Sequence, residues 1–143
     1  MTIVNITGPS QLNQDSAPAG ASNDSYAVFY GYNNVAGTNG AKGMCAFDGS
    51  LTLTTMSALS TSITDACGVS TESFAVFAGG RSSSAVNTVY TVDTSLTMST
   101  NANNNLTTAA DWLAGTALGE YVLFGGGYGT SAISTVNAYE MSY

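Results

Sequence analysis

The chain has 143 residues, of which 44% are hydrophobic, so it is long enough to form one domain around a buried core. Only 8% of the residues are charged, and nine acids against two cations, Lys42 and Arg81, give a net charge of −7. Nucleic acids and anionic membranes are recognised through clustered Lys and Arg, so the composition argues against both as partners. The absence of histidine excludes Ser-His-Asp and Cys-His catalysis and removes the commonest metal ligand.

The N-terminal residues MTIVNITGPS lack a charged segment followed by a long apolar core, so no signal peptide is predicted. No apolar run approaches the roughly 18 residues of a membrane-spanning helix. We therefore expect a soluble protein without membrane insertion, whose localisation is unknown. Cys45 and Cys67 have no metal-like spacing and are interpreted as small buried side chains, with a disulfide between them left open.

A repeated apolar segment organises the chain. It begins at Tyr26 (YAVFYG), returns at Phe74 (FAVFAGG) and returns again at Tyr121 (YVLFGGG), at steps of 48 and 47 residues. Counting on from Tyr121 to the C-terminus and then from Met1 to Tyr26 gives 48 again, so the register is circular. Each unit is therefore predicted to be one supersecondary element that buries its apolar face by stacking on its copies.

Two strands are predicted in the first half of each unit. The first is a short strand of small residues around Gly20, Gly68 and Gly115, each six residues ahead of the apolar segment. A glycine held at one strand position suggests that another backbone approaches closely. The second strand is the apolar segment itself, whose unbroken hydrophobicity predicts burial on both faces.

Two more strands complete the unit. The third strand covers residues 44–48, 89–93 and 136–140, and it ends each time on an acid (Asp48, Asp93 or Glu140) that we expect to form a turn. A Thr-rich edge strand follows at residues 51–55 and 96–100. The chain stops where the third copy of this strand should begin, and residues 1–7 (MTIVNIT) have its pattern. No segment has a helical period, so almost no helix is predicted.

This pattern resembles the kelch repeat, in which an apolar strand ends in a Gly-Gly doublet and a Tyr-centred third strand follows. Gly79-Gly80 and Gly125-Gly126 match the doublet, Tyr30-Gly31 matches it in part, and Tyr90 and Tyr139 lie near the tyrosine position. The tryptophan of the fourth strand is replaced by Leu51, Leu96 and Tyr143, as in a divergent variant. The fold class expected is all-β, a kelch-like β-propeller with three four-stranded blades per chain, in units of about 1–47, 48–93 and 94–140. A β-sandwich is the alternative.

Three blades are too few to close a ring, so a second copy is expected to complete it. A head-to-tail homodimer gives six blades, with one blade of each chain split between residues 136–143 and residues 1–7 of its partner. Residues 1–143 then form a single half-propeller. Larger assemblies would keep the same register, and a fragment of a longer chain is the alternative explanation.

Candidate ligand-binding residues lie in two sets of loops that share one end of such a meander. The loops after the second strand carry Tyr32, Asn33, Arg81 and Tyr128, and the loops before the first strand carry Asp65 and Trp112. Aromatic rings mixed with amides and carboxylates are typical of carbohydrate recognition. Arg81 is expected to pair with a carboxylate, preferably one of the protein's own acids. The same two sets of loops also carry Asp15, Ser82 and Asn103 as further candidates for ligand binding.

The expected function is a non-enzymatic binding protein that recognises carbohydrate or a cell-surface protein in a bacterial or phage setting. The alternative is a structural, self-assembling propeller, either a virion component or an engineered protein, with no small-molecule ligand. No catalytic residue, cofactor or metal is predicted. A glycosidase needs two carboxyl groups about 5–10 Å apart, and no pair is nominated by the sequence. Asp48, Asp93 and Glu140 lack the spacing of a calcium loop.

Overall fold

A computed structural model describes residues 1–9, 17–32 and 41–141 of the chain. The only helical element in these ranges is a single 3-10 turn at Ala102–Asn104, and the rest of the regular structure is strand. The strands in chain order are β1 (Ala19–Ser22), β2 (Tyr26–Tyr32), β3 (Gly43–Asp48), β4 (Leu53–Thr55), β5 (Cys67–Ser70), β6 (Phe74–Ala78), β7 (Val89–Asp93), β8 (Met98–Thr100), β9 (Ala114–Leu118), β10 (Tyr121–Gly125) and β11 (Val136–Glu140). The prediction of an all-β chain with almost no helix is confirmed.

The strands form three antiparallel meanders. Sheet 1 has the order β1-β2-β3-β4, sheet 2 has the order β5-β6-β7-β8, and sheet 3 comprises β9, β10 and β11 with β10 in the middle. The repeated apolar segments form β2, β6 and β10, each of which pairs with a strand on both sides. Each repeated segment is therefore the second strand of one sheet, and within the described ranges the third sheet is one strand short of the other two.

The three sheets stack in chain order, with β1 beside β5 and β5 beside β9. Successive side chains of a strand point to opposite faces of its sheet. A second strand whose sheet lies between two others is therefore apolar at every position. The ring of Tyr30 from sheet 1 stacks on Phe77 from sheet 2 at a centroid distance of 4.6 Å. Val76 of sheet 2 and Val122 and Phe124 of sheet 3 are fully buried in the second core. The two junctions are thus continuous apolar layers.

Close approach of the first strands explains two of the three repeated glycines. A Cβ atom on Gly68 would lie 2.3 Å from the carbonyl oxygen of Gly20, and a Cβ atom on Gly115 would lie 2.5 Å from Val69 Cγ2. Real Cβ atoms do not make such contacts. The predicted close approach of another backbone is confirmed at Gly68, whereas the atoms that crowd Gly115 belong to the side chains of Val69, Cys67 and Phe124. Gly20 differs, because the nearest atom to its Cβ position is a ring carbon of Phe29 at 3.9 Å.

Aspartates at the ends of β3 and β7 form the predicted turns. Asp48 Oδ1 accepts hydrogen bonds from the backbone N–H groups of Ser50 and Thr52, and Asp93 Oδ1 does the same for Ser95 and Thr97. Leu51 and Leu96 lie within these turns, and their backbones are in the left-handed region, with φ of 62° and 60°. The predicted edge strands at 51–55 and 96–100 were therefore too long, since β4 and β8 begin only after the turn.

The two faces of sheet 3 have different surroundings. Its inner face packs on sheet 2, where Val122 and Phe124 are fully buried. On the opposite face Leu118, Tyr121 and Val136 are 71%, 48% and 60% exposed, and β9 is exposed along its whole length. Sheet 3 therefore has one covered apolar face and one uncovered apolar face.

The N-terminal residues form no strand within one chain. Residues 1–9 lie outside every sheet, and Ile3, Val4 and Ile6 are 77%, 65% and 46% exposed. Tyr143, which the predicted split blade also uses, lies outside the described residues. Within the described part of the chain, no helix is long and apolar enough to cross a membrane.

Candidate functional site at the loop end of the sheets

Isolated backbone bridges extend sheets 2 and 3 beyond the ends of their strands. Thr64, before β5, pairs with Arg81, after β6, and Asp111, before β9, pairs with Tyr128, after β10. Both bridges carry two backbone hydrogen bonds, of 2.7 and 2.9 Å in sheet 2 and of 2.9 Å each in sheet 3. These four residues therefore lie at the same end of the two sheets, which we call the loop end.

An ion pair joins the two sheets at the loop end. Arg81 Nε donates a hydrogen bond to Asp111 Oδ2, and the side chain of Asp111 is fully buried while that of Arg81 is 37% exposed. The Gly80 N–H, next to Arg81, donates to the Ala110 carbonyl oxygen at 2.8 Å and ties the same segments together. The prediction that Arg81 pairs with one of the protein's own carboxylates is confirmed, and its partner is Asp111.

Only one of the two carboxylate oxygens of the buried residue Asp111 has a hydrogen-bond partner. Its second carboxylate oxygen, Oδ1, is buried without a hydrogen-bond partner in the described structure. A buried carboxylate is costly unless it is paired, so the ion pair with Arg81 offsets part of the cost of burying Asp111. The pair is therefore primarily a structural connection between sheets, and it fixes the plane of the Arg81 guanidinium group at the surface.

Asp65 and Trp112 occupy equivalent positions before β5 and β9. The Trp112 N–H donates to the Asp65 carbonyl oxygen at 3.3 Å, so the two residues are neighbours across the junction between sheets 2 and 3. Both lie in the left-handed region, with φ of 55° and 53°, where a bulky residue is rare. Ala17, at the same position in the first unit, also has a positive φ of 39°. Because an alanine shares it, the conformation is a property of the repeat and is not evidence of function by itself.

Two exposed aromatic residues lie at the same end of the sheets as these polar groups. Trp112 is 68% exposed and Tyr128 is 43% exposed. Asp65 is half-buried, and its Oδ2 atom accepts a hydrogen bond from Thr64 Oγ1 at 2.9 Å. The loop end of sheets 2 and 3 thus presents two aromatic side chains, one carboxylate and one partly exposed guanidinium group to solvent.

The structure brings together four of the six residues nominated from the sequence: Asp65, Arg81, Trp112 and Tyr128. Tyr32 ends β2, and its backbone lies at the loop end of sheet 1. The side chain of Tyr32, all of Asn33 and the more distant candidate Asp15 lie outside the described residues. Asn103 lies in the 3-10 turn, where its N–H donates to Asn101 Oδ1, and it is not part of the cluster.

Sequence reasoning missed Asp111, the residue on which the cluster depends. Asp111 stands 47 residues after Thr64, and Tyr128 stands 47 residues after Arg81. The repeat register therefore contained the pairing of Asp111 with Tyr128 as an analogue of Thr64 with Arg81. What the register does not contain is the contact from Arg81 of one sheet to Asp111 of the next, which depends on how the sheets stack.

A groove between sheets 2 and 3 lies away from the loop end. It has a volume of about 420 Å³ and runs between β8 and β11, with Thr91 and Thr100 on one side and Ala138 and Tyr139 on the other. The phenol oxygen of Tyr139 is buried there without a hydrogen-bond partner in the described structure, and burial raises the pKa of Tyr139. The groove runs along the edge of β11, where the described part of sheet 3 has no fourth strand like those of sheets 1 and 2.

Three carboxylates lie at the opposite end of the sheets. Asp24, Glu72 and Glu120 follow one another at steps of 48 residues, in the turns between the first two strands of each sheet. They border a shallow depression of about 620 Å³. Among the described residues there is no group of three or more Cys, Asp or Glu side chains placed to hold a metal ion.

Cys45 and Cys67 are not joined by a disulfide. Cys45 is fully buried, as predicted, and Cys67 is half-buried. Burial raises the pKa of the Cys67 thiol. Neither family models nor curated protein sequences give a match to this chain.

Proposed function

We propose that the chain is half of a divergent kelch-like β-propeller and acts as a non-enzymatic protein that binds carbohydrate at its loop end. The observation that carries the binding proposal is that two exposed aromatic residues, Trp112 and Tyr128, lie at the same end of sheets 2 and 3 as Asp65 and Arg81. Two copies associate head to tail, so that six sheets complete a ring.

The chemistry of the cluster suits a sugar. Aromatic rings cover the apolar faces of pyranose rings, and carboxylate and guanidinium groups bond their hydroxyl groups. Asp111 holds Arg81 by its Nε atom, so the guanidinium group is oriented before a ligand arrives. A ligand that meets an oriented group loses less conformational entropy in binding.

The ring proposal has separate support. The sheets of one chain stack through their first strands, and the last sheet is one strand short while residues 1–7 remain unpaired. A fourth strand supplied by residues 1–7 of a second copy would lie on the free edge of β11 and cover the groove beside it. Native mass tests this directly, and twice the chain mass of 14.5 kDa corresponds to six sheets.

A glycan array tests the binding proposal. We expect saturable binding of the wild-type protein to one family of glycans, with a loss of at least tenfold in Trp112→Ala and in Tyr128→Ala, since each removes a stacking ring. Leu51→Ala is the matched control, because Leu51 is 45% exposed but lies in the turn after β3, at the other end of the sheet.

Silence across a broad array contradicts the carbohydrate proposal and favours a structural, self-assembling propeller without a small-molecule ligand. Binding that persists in both aromatic variants places the glycan site elsewhere on the protein. Neither result bears on the ring, which the native mass decides.

A further inference from the structure

Gly20 is a glycine that a single chain does not need. At the equivalent positions, Gly68 and Gly115 are required because a Cβ atom would lie 2.3 Å and 2.5 Å from the preceding sheet. Around Gly20 the nearest atom to a Cβ would be 3.9 Å away, which is an ordinary van der Waals distance. Among the described residues no sheet precedes sheet 1, so the close contact seen at the other two glycines is missing around Gly20.

The face of sheet 1 that carries Gly20 is open near β1 and β2. Gly20 and Ala27 are exposed there and Phe29 is half-buried, whereas Cys45 and Phe47 on the β3 side of the same face are buried within the chain. The open part is therefore the part that the first two strands form. The first strands of neighbouring sheets lie side by side at both junctions inside the chain, and the second strands also contribute between sheets 1 and 2.

The uncovered face of sheet 3 has the residues that would contact a glycine such as Gly20. At the junction of sheets 2 and 3, Gly115 sits between Cys67 and Val69, since its Cβ position is 2.7 Å from Cys67 Sγ and 2.5 Å from Val69 Cγ2. The residues of sheet 3 equivalent to Cys67 and Val69 are Ala114 and Thr116, and both are exposed. Ala114 and Thr116 of sheet 3 therefore form an exposed surface equivalent to the one on sheet 2 that Gly115 contacts.

We propose that β1 of a second copy docks on β9, with Gly20 of the partner subunit seated over Gly115 between Ala114 and Thr116. This inference rests on the proposed ring and specifies the contact that closes it. The occupant is a second copy because one chain carries both halves of the contact, one at each end of its stack. The same pair of surfaces already meets twice inside the chain. A two-fold arrangement of two chains forms the junction twice and leaves neither half exposed.

Gly20→Ala is the decisive variant. Within the chain its methyl group meets nothing closer than 3.9 Å, so the isolated subunit should fold as the wild type does. At a junction of the kind that Gly68 makes, the same methyl group would collide with backbone. We expect the dissociation constant of the dimer, measured by analytical ultracentrifugation over a concentration series, to rise about tenfold or more. Gly49→Ala is the matched control, because a Cβ atom on Gly49 has no neighbour within 4 Å.

Thr116→Glu tests the other half of the same contact. Thr116 is exposed in the single chain, so the charge is tolerated there, but it would be buried at the junction. We expect the same loss of dimer, with a circular dichroism spectrum like that of the wild type. This variant keeps the test decisive if Gly20→Ala folds poorly.

The outcomes separate the junction from the ring. A folded wild-type protein that stays monomeric at micromolar concentration overturns both the ring and the junction. A wild-type dimer that neither Gly20→Ala nor Thr116→Glu weakens overturns the junction alone. An assembly of three copies that both variants disperse supports the junction and rules out a ring of six sheets. Glycan binding is measured separately, so its loss or persistence decides none of these results.

Discussion

The outer face of sheet 2 and the outer face of sheet 3 are built alike and surrounded differently. On sheet 2, Val69, Val76 and Val89 are between 1% and 7% exposed, because sheet 3 covers them. Thr116, Leu123 and Val136 occupy the equivalent positions of sheet 3, where Val136 is 60% exposed. The difference arises from the presence or absence of a neighbour, since the residue types are similar. An apolar face of this extent without a cover is typical of an interaction surface.

The covered junction of sheets 2 and 3 also contains features that the uncovered face does not have. Inside the chain, the junction of sheets 2 and 3 includes a buried carboxylate and its arginine, together with Gly115, where a Cβ atom would lie 2.5 Å from Val69 and 2.7 Å from Cys67. At the open end, the position of Arg81 is taken by Tyr128, which is 43% exposed. The features that demand accurate packing are thus concentrated where two sheets already meet, and each can be removed in a variant.

The largest effect is expected from Arg81→Met. The variant leaves the carboxylate of Asp111 buried without a partner, and uncompensated buried charges of this kind cost about 3 kcal/mol. Tyr128→Met changes the equivalent position on the open side and should alter the free energy of unfolding by less than about 0.5 kcal/mol. Urea denaturation of the two variants measures both values. Equal losses in the two variants would mean that the ion pair does not stabilise the junction.

An intermediate effect is expected from Val89→Ala, which removes two buried methyl groups at the covered face. At about 0.8 kcal/mol for each buried carbon, the loss is roughly 1.5 kcal/mol. Val136→Ala is the equivalent change at the uncovered face, and it should cost little when the protein is dilute. If the proposed ring forms, the cost of Val136→Ala should rise with protein concentration, and a concentration-independent cost would count against burial of Val136 by a second copy.

The smallest effect is a dependence of stability on alkaline pH. Burial raises the pKa of the Cys67 thiol above its ordinary value of 9.0, so the unfolded chain loses this proton at a lower pH than the folded chain. The contribution of the neutral thiol is therefore complete below pH 9 and is lost as the pH rises through the folded value. Cys67→Ala, which copies Ala114 of sheet 3, should show a shallower decline of the urea midpoint above pH 9. An unchanged decline would assign the alkaline sensitivity to other groups, such as Tyr30 and Tyr139, whose pKa values burial also raises.

Much of the fold could be predicted because the repeat fixes the register of the strands. The steps from Tyr26 to Phe74 and to Tyr121 placed β2, β6 and β10, and the acids at Asp48 and Asp93 placed the turns that follow β3 and β7. The boundaries of β4 and β8 were wrong at their first residues, because two leucines that look like strand residues are held in the turn, where their N–H groups donate to the carbonyl oxygens of these aspartates. Alternation of polar and apolar residues does not reveal such a turn.

The candidate site could be predicted only in part. Asp65, Arg81, Trp112 and Tyr128 were found because a meander brings its loops to one end. The carboxylate of Asp111 was missed because its burial results from the stacking of one sheet on the next, which leaves no periodic signal near residue 111. The repeat thus predicts contacts within a sheet well, and it predicts contacts between sheets only where a glycine marks them.

The turns that follow β3 and β7 leave room to make the molecule more robust. Leu51 and Leu96 have positive φ angles, a conformation that costs a residue with a side chain roughly 1–2 kcal/mol. Asparagine tolerates this conformation far better. Both turns lie away from the loop end and from the open faces of sheets 1 and 3, but the exchange suits only Leu51, which is 45% exposed, because Leu96 packs against the core between sheets 1 and 2. The chain therefore stores strain at sites where it serves neither binding nor assembly. A substitution in the turn can therefore make the protein more stable as a scaffold without altering any surface on which the two proposals depend.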